Sequence, residues 1–238
     1  MLLEIAVFNA ASAILAAQAG AHRIELCDNE KEGGTTPSYG TLEVVRNKIN
    51  IPIFPMIRPR GGDFVYTIDE FNIMKKDIQI CKQMGFEGVV FGILQPDGSI
   101  DTTRTQQLVD TAYPLQVTFH KAFDRTKNPQ EAVHQIIQCG CKRILTSGQY
   151  TTASEGIPAI TNLIKLSNNN IIIMPGGGVR SNNIKTIANQ TNAIEFHSSA
   201  KKIIVNHSFF SPTTMHDNVE NISIDTKEIS TMISMLKN

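Results

Sequence analysis

Ile171-Ile-Ile-Met-Pro-Gly-Gly-Gly178 reads as an apolar strand that ends in three consecutive glycines. An isoleucine run with no polar alternation is what a parallel strand covered on both faces requires. Working outward, it is the seventh of eight such runs: Leu2–Val7, Arg23–Asp28, Ile51–Pro59, Gly88–Leu94, Leu115–Asp124, Arg143–Gly148, Ile171–Pro175 and Ala193–Ser199. Helical patterns with start signals separate them. Thr67-Ile-Asp-Glu70 is a capping box ahead of Phe71, Met74 and Ile78. Asn128-Pro129-Gln-Glu131 and Asp225-Thr-Lys-Glu228 open two more helices, and Gly85 and Gly140 fall where helices should stop.

Eight alternations of strand and helix suggest a closed barrel or a doubly wound sheet. A doubly wound nucleotide fold places its glycine turn after the first strand, and Phe8-Asn9-Ala10-Ala11 has no glycine there. In a (β/α)8 barrel the loops after strands seven and eight are the usual phosphate site, which suits Gly176-Gly-Gly178. The expected fold is therefore α/β, a (β/α)8 TIM barrel in a single domain over residues 1–238. Its barrel core spans 1–202, and residues 203–238 form a C-terminal extension with the last helix. The polar stretch Ile203–Ile222 is expected to wrap the barrel. The 238 residues are close to the roughly 250 typical of this fold.

The bulk numbers narrow the partners. Hydrophobic residues make up 41%, and 22 Lys and Arg balance 22 Asp and Glu. That neutrality argues against nucleic acid or an anionic membrane as a partner. Four cysteines at 27, 81, 139 and 141 are too few and too unevenly spaced for a secreted disulfide framework. The apolar stretch Leu2–Ala21 has no preceding Lys or Arg and is interrupted by Glu4, Asn9 and Gln18, so a cytoplasmic location is expected. No stretch reaches the roughly 18 apolar residues of a membrane span.

Alternate residues of a barrel strand face inward. Parity then gathers Glu4 with Ala6, Glu25 with Cys27, Met56 with Arg58, Thr118 with His120 and Asp124, and Glu195 with His197 and Ser199. The opposite faces are largely apolar, for example Ile24, Leu26, Ile53, Ile57 and Phe196. Barrel interiors are normally filled by Val, Ile and Leu. Unpaired buried charges cost several kcal/mol, so Glu4, Glu25 and Arg58 must pair with each other or with something bound. Two readings stand: a closed structural ion-pair network, or a site at the C-terminal mouth.

The rim favours a site for a small anionic ligand. Arg58-Pro-Arg60-Gly-Gly-Asp63 offers two guanidinium forks, Gly33-Gly-Thr-Thr-Pro-Ser38 offers hydroxyls, and Ser147-Gly148 ends the sixth run. Gly176, Gly177 and Gly178 can form an anion nest before a helix opening near Ser181. Arg58, Arg60, Ser147 and these glycines are the candidate anion binders. Glu25, Arg58, His120, Asp124 and His197 are the candidate catalytic groups. Cys27, with Met56 or His197, is a candidate Cu(I) site because soft donors suit that ion, although a lone buried Cys and a core Met ordinarily only pack. Cys139, Cys141 and Cys81 read as packing, and His134 and His216 have no expected role.

Together, Arg23-Ile-Glu-Leu-Cys27, Glu32-Gly-Gly-Thr-Thr-Pro-Ser38, Met56-Ile-Arg-Pro-Arg-Gly-Gly-Asp-Phe64, Thr118-Phe-His-Lys-Ala-Phe-Asp124, Leu145-Thr-Ser-Gly148, Met174-Pro-Gly-Gly-Gly-Val179 and Glu195-Phe-His-Ser-Ser-Ala200 resemble the CutC copper-homeostasis family. The resemblance runs from the first strand to about Ala200. It implies a cytoplasmic TIM barrel, a homo-oligomer (dimer or tetramer), and a copper-homeostasis role with Cu(I) binding. It also implies copper ligands near the ends of the first two strands. Cys27 matches the second, while Ala6 stands at the first. Two expectations follow. One is a Cu(I)-binding protein centred on Cys27. The other is an enzyme acting on a small anionic or phosphorylated substrate at the mouth.

Overall fold

The structure, a computed structural model, describes residues 1–204, 214 and 221–237. Eight parallel strands alternate with helices: β1 (Leu2–Val7), α1 (Ala10–Gln18), β2 (Arg23–Leu26), α2 (Tyr39–Lys48), β3 (Ile53–Pro55), α3 (Ile68–Gln83), β4 (Gly88–Phe91), α4 (Thr102–Ala112), β5 (Gln116–Phe119), α5 (Pro129–Gln138), β6 (Arg143–Thr146), α6 (Ile157–Ser167), β7 (Ile172–Pro175), α7 (Ile184–Thr191) and β8 (Glu195–Ser198). An antiparallel pair, β9 (Lys201–Ile204) and β10 (Asn221–Ile224), precedes α8 (Thr226–Lys237). The hydrogen-bonded orders are β3-β2-β1-β8 and β4-β5-β6-β7. A parallel bridge between Met56 and Val90 joins the two halves on one side, and β7 lies against β8 on the other. The result is an eight-stranded TIM barrel. No helix among the described residues is long and apolar enough to cross a membrane.

The local signals act as their chemistry dictates. Thr67 and Glu70 form the reciprocal capping box of α3. Asn128 accepts from the Glu131 N–H at the start of α5, with Pro129 in the first turn. Asp225 accepts from Lys227 and Glu228 at the start of α8. Ile24, Leu26, Ile53, Ile57 and Phe196 are fully buried against the helices, each burial contributing roughly 1.5–3 kcal/mol.

Some boundaries differ from the sequence reading. The third strand is only Ile53–Pro55. The fifth ends at Phe119, and Lys121–Arg125 forms a 3-10 turn, so the parity that grouped Asp124 with His120 stops at the strand end. Helix α7 opens at Ile184 rather than near Ser181, and the Ser181 N–H and hydroxyl are both held by Glu228 of α8. Of the expected wrapping segment, Ile203, Ile204, Asn221 and Ile222 belong to β9 and β10. Residues 205–213 and 215–220, including His216, lie outside the described residues.

Candidate functional site

The inward faces carry a buried ionic network where apolar layers would be usual. Strand register decides its first contact, since Glu4 stands opposite Arg23 on β2 and His197 on β8. The Arg23 Nε donates to Glu4 Oε2, and its Nη2 donates to Glu195 Oε2 at 2.6 Å. The Arg143 Nε reaches the same Glu195 oxygen at 3.1 Å. Both guanidinium groups lie against the Phe54 ring, 5.0 and 5.1 Å from its centroid. Gly88 makes room for that ring, because a Cβ there would lie 2.3 Å from it. Two arginines and two glutamates thus close one balanced unit. Arg23 and Arg143 share inward parity with Glu25 and Ser147 but stand at strand starts, the end of the barrel away from the mouth, where parity alone does not mark them as site residues. Arg23, not Arg58, is the partner of Glu4.

Above this unit, two groups are left to share charge. His197 Nδ1 lies 2.8 Å from Glu4 Oε1. Burial would raise the Glu4 carboxyl, yet Arg23 and His197 hold it down at about 2. It is therefore the acceptor, and Nδ1 donates. His197 Nε2 then faces Glu25 Oε2 at 3.8 Å. Burial pushes Glu25 up to about 7, and its Oε1 is buried without a partner among the described residues. Burial alone would depress His197, but Glu25 and Glu4 hold it above its usual value. Cys27 completes this corner by donating its S–H to Glu25 Oε2 at 3.5 Å. Burial, reinforced by Glu25, raises its thiol well above 9.

An open cavity of about 1460 Å³ sits over the C-terminal ends of the strands. Glu25, Met56, Arg58, His120, Asp124, Ser147, Gly177, Gly178 and His197 line it, together with Lys121, Arg180 and Lys201. Arg60, Gly176 and Cys27 are not among its lining residues.

The structure ties several candidates to the protein itself. Arg58 donates through Nη1 to the carbonyls of Glu32 and Gly34, at 2.6 and 2.9 Å, and through Nη2 to Gly62 at 2.8 Å. It pins the loops after β2 and β3, and no carboxylate pairs with it among the described residues. Arg60 is held by Glu70 at 2.6 Å and Asp63 at 3.0 Å. Its fork therefore closes on its own loop and the start of α3, away from the cavity. The Asp124 carboxylate accepts from the N–H groups of Ser147 and Gln149 and from the Ser147 hydroxyl, organising the loop after β6. The Gly176 N–H goes to the Thr146 carbonyl. Among the described residues, no partner appears for the N–H groups of Gly177 and Gly178, both at positive φ (100° and 71°). A Cβ on Gly177 would lie 3.2 Å from the Lys121 ammonium.

His120 accepts at Nδ1 from the Ala122 N–H at 3.2 Å, so the proton of the neutral ring is on Nε2. Burial, with Arg58 adding to it, lowers this imidazole to about 3. His120 Nε2 and Arg58 Nε are both buried without hydrogen-bond partners among the described residues. The Phe64 ring lies 4.9 Å from each of these groups. Their unpartnered state depends on contacts between strands, so no sequence signal could have revealed it.

Residues 1–202 match the CutC family model. A family protein CutC of Chromobacterium violaceum is 46% identical over 200 residues, covering 84% of this chain and 81% of that relative. The human copper homeostasis protein cutC homolog is also 46% identical over 200 residues, covering 84% of this chain and 73% of its own. Among solved structures, the copper homeostasis protein CutC of Streptococcus agalactiae superposes with a TM-score of 0.78 at 35% identity, covering 84% of this chain and 98% of that one. Phosphoribosylanthranilate isomerase of Thermotoga maritima, at 11% identity and a TM-score of 0.60, shares the barrel fold. The inward carboxylates, the arginine loop and the triple glycine thus sit on a shared scaffold, and this chain belongs to the CutC family.

Proposed function

We propose that the chain is an enzyme acting on a small anionic substrate in the barrel mouth, with Glu25 and His197 as the proton-transfer pair. One observation carries this reading. Glu25 is 4% exposed, lines the cavity, has an Oε1 without a partner among the described residues and faces an imidazole, while Glu4 and Glu195 are already balanced by Arg23 and Arg143. A carboxyl near pH 7 beside a fixed imidazole holds one proton between two acceptors, the condition general acid–base chemistry needs. Glu4 is the positioning residue, since it fixes the His197 tautomer. The anionic end of the substrate would meet the free N–H groups of Gly177 and Gly178 and the Lys121 ammonium, in the loops where this fold commonly holds phosphate. Ser147 and Asp124 shape that wall.

Copper homeostasis, for which the human relative is named, implies Cu(I). The donor set here does not fit a resident Cu(I) ion. Cu(I) prefers thiolate, and Cys27 is a single thiol whose proton is held by burial first and by Glu25 second. Ala6 occupies the other inward position of β1. Glu4, Glu25 and His197 do converge within 4.8 Å, but these are oxygen and nitrogen donors and Cys27 is not part of the group. Four free cysteines suit a reducing cytoplasm, and a homo-oligomer is part of the same proposal.

Thermal-shift titration tests the reading with inorganic phosphate and, separately, Cu(I). Phosphate should raise the Tm of the wild type and of Cys27→Ser, and Lys121→Ala should lose most of that rise. At a hundred times Kd the gain is about 2.7 kcal/mol. A Cu(I)-dependent rise abolished by Cys27→Ser, with no response to phosphate, would refute it in favour of copper handling.

A further inference from the structure

The mouth has a second polar corner, formed by Arg58 after β3 and His120 after β5. Arg58 is 4% exposed and His120 is 3% exposed, and both line the cavity. Among the described residues, each carries one buried side-chain nitrogen, His120 Nε2 and Arg58 Nε, with no hydrogen-bond partner. The Arg58 guanidinium meets three backbone carbonyls, the Phe64 face and the side chain of Tyr66, and among the described residues no carboxylate lies within ion-pair distance of it. A buried cation without a counter-ion and two unused donors together leave an unmet demand for a negatively charged oxygen. The demand is built in: Gly92 carries no Cβ, which would lie 2.6 Å from His120 Nδ1, and the Ala122 N–H fixes the ring's tautomer.

We propose that this corner receives the carbonyl oxygen of the substrate, so that the reaction is proton transfer at the carbon next to that carbonyl. The proposal rests on the anionic-substrate reading above and names the substrate class for it. His120 donates Nε2–H to the carbonyl oxygen. Glu25 or His197 removes a proton from the adjacent carbon. The C–H electron pair becomes the C=C bond, and the carbonyl π pair moves onto oxygen. The oxyanion is held by His120 and by the field of Arg58, and return of a proton to the same carbon restores the carbonyl, giving proton exchange or, from the opposite face, epimerisation, without oxidant or reductant. A neutral imidazole suits this role, because it donates to the developing oxyanion without giving up its proton. The substrate class is a small ketone or aldehyde carrying a separate anionic group.

Solvent exchange tests this without knowledge of the product. The full chain is incubated in D2O with dihydroxyacetone phosphate, ribulose 5-phosphate or 2-oxobutyrate, and loss of the C–H signal next to the carbonyl is followed by NMR. We expect exchange with at least one probe. It should fall a hundredfold or more in His120→Phe and stay within tenfold of wild type in His120→Gln, whose amide NH2 replaces the Nε2–H. Rescue by glutamine separates donation from a packing role, and it stands even where the phenylalanine variant folds poorly. Exchange unaffected by His120→Phe but abolished by Glu25→Gln would overturn the carbonyl corner and leave the proton-transfer pair intact. Exchange with no probe overturns the enolisation proposal, and if phosphate also fails to stabilise the protein the anionic-substrate reading falls with it.

Discussion

Replacing Glu25 by glutamine (E25Q) removes an ionisable proton from the cavity floor while keeping the side chain's size. Burial holds this carboxyl at about 7 against an ordinary 4.5. Below pH 4.5 the folded and unfolded chains both carry the proton, and ionisation costs the fold nothing. Between 4.5 and 7 the unfolded chain releases it while the folded chain retains it, so stability falls as pH rises. Above 7 the full penalty applies. Each tenfold difference in proton affinity is worth about 1.4 kcal/mol, which makes the penalty about 3 kcal/mol. His197 adds in the same direction. Its folded value is raised by Glu25 and Glu4, so its stabilising contribution is complete below 6.5 and disappears as pH rises through the folded value. Glutamine abolishes the first effect and weakens the second. Urea unfolding of both proteins from pH 4 to pH 8 should therefore show the stability difference swinging by about 3 kcal/mol towards E25Q. A swing below about 1 kcal/mol would mean that Glu25 ionises like an ordinary carboxylate, and the shared-proton argument would be refuted.

Arg23→Met leaves buried Glu4 with His197 alone and buried Glu195 with Arg143 alone, and urea denaturation should show a loss of about 3–5 kcal/mol; a loss under 1 kcal/mol would show the network to be dispensable. Gly92→Ala sets a methyl group 2.6 Å from His120 Nδ1, which should lower stability by about 1–3 kcal/mol and displace the ring, seen as a changed His120 signal in NMR. Cys27, 1% exposed and with its thiol raised well above 9, should resist a thiol reagent at pH 8 in the folded protein and react on unfolding. Rapid labelling of the native thiol would contradict the protonated, inaccessible state.

How legible the site was varies residue by residue. Strand parity places Glu4, Glu25, Arg58, His120 and His197 inward because the side-chain period is two and the opposite positions are apolar, and the structure buries all five. Parity carries no information on which inward group meets which. Glu4 meets Arg23 and His197 because β1 runs between β2 and β8 in a particular register. Arg58 and Arg60 look alike in the motif, yet one turns to backbone carbonyls and the other to Glu70 and Asp63. Asp124 left the strand pattern at a 3-10 turn that no alternation could announce.

From the sequence alone came the eight strands, the helix caps, the barrel and the family, because those depend on short-range periodicity, capping chemistry and motif order. Only the tertiary structure decided the closed Arg–Glu floor, the approach of His197 Nε2 to within 3.8 Å of Glu25, the raised thiol of Cys27 and, among the described residues, the unpartnered nitrogens of His120 and Arg58. These depend on distances across the barrel and on loss of water, and neither is encoded in the spacing of residues along a single strand.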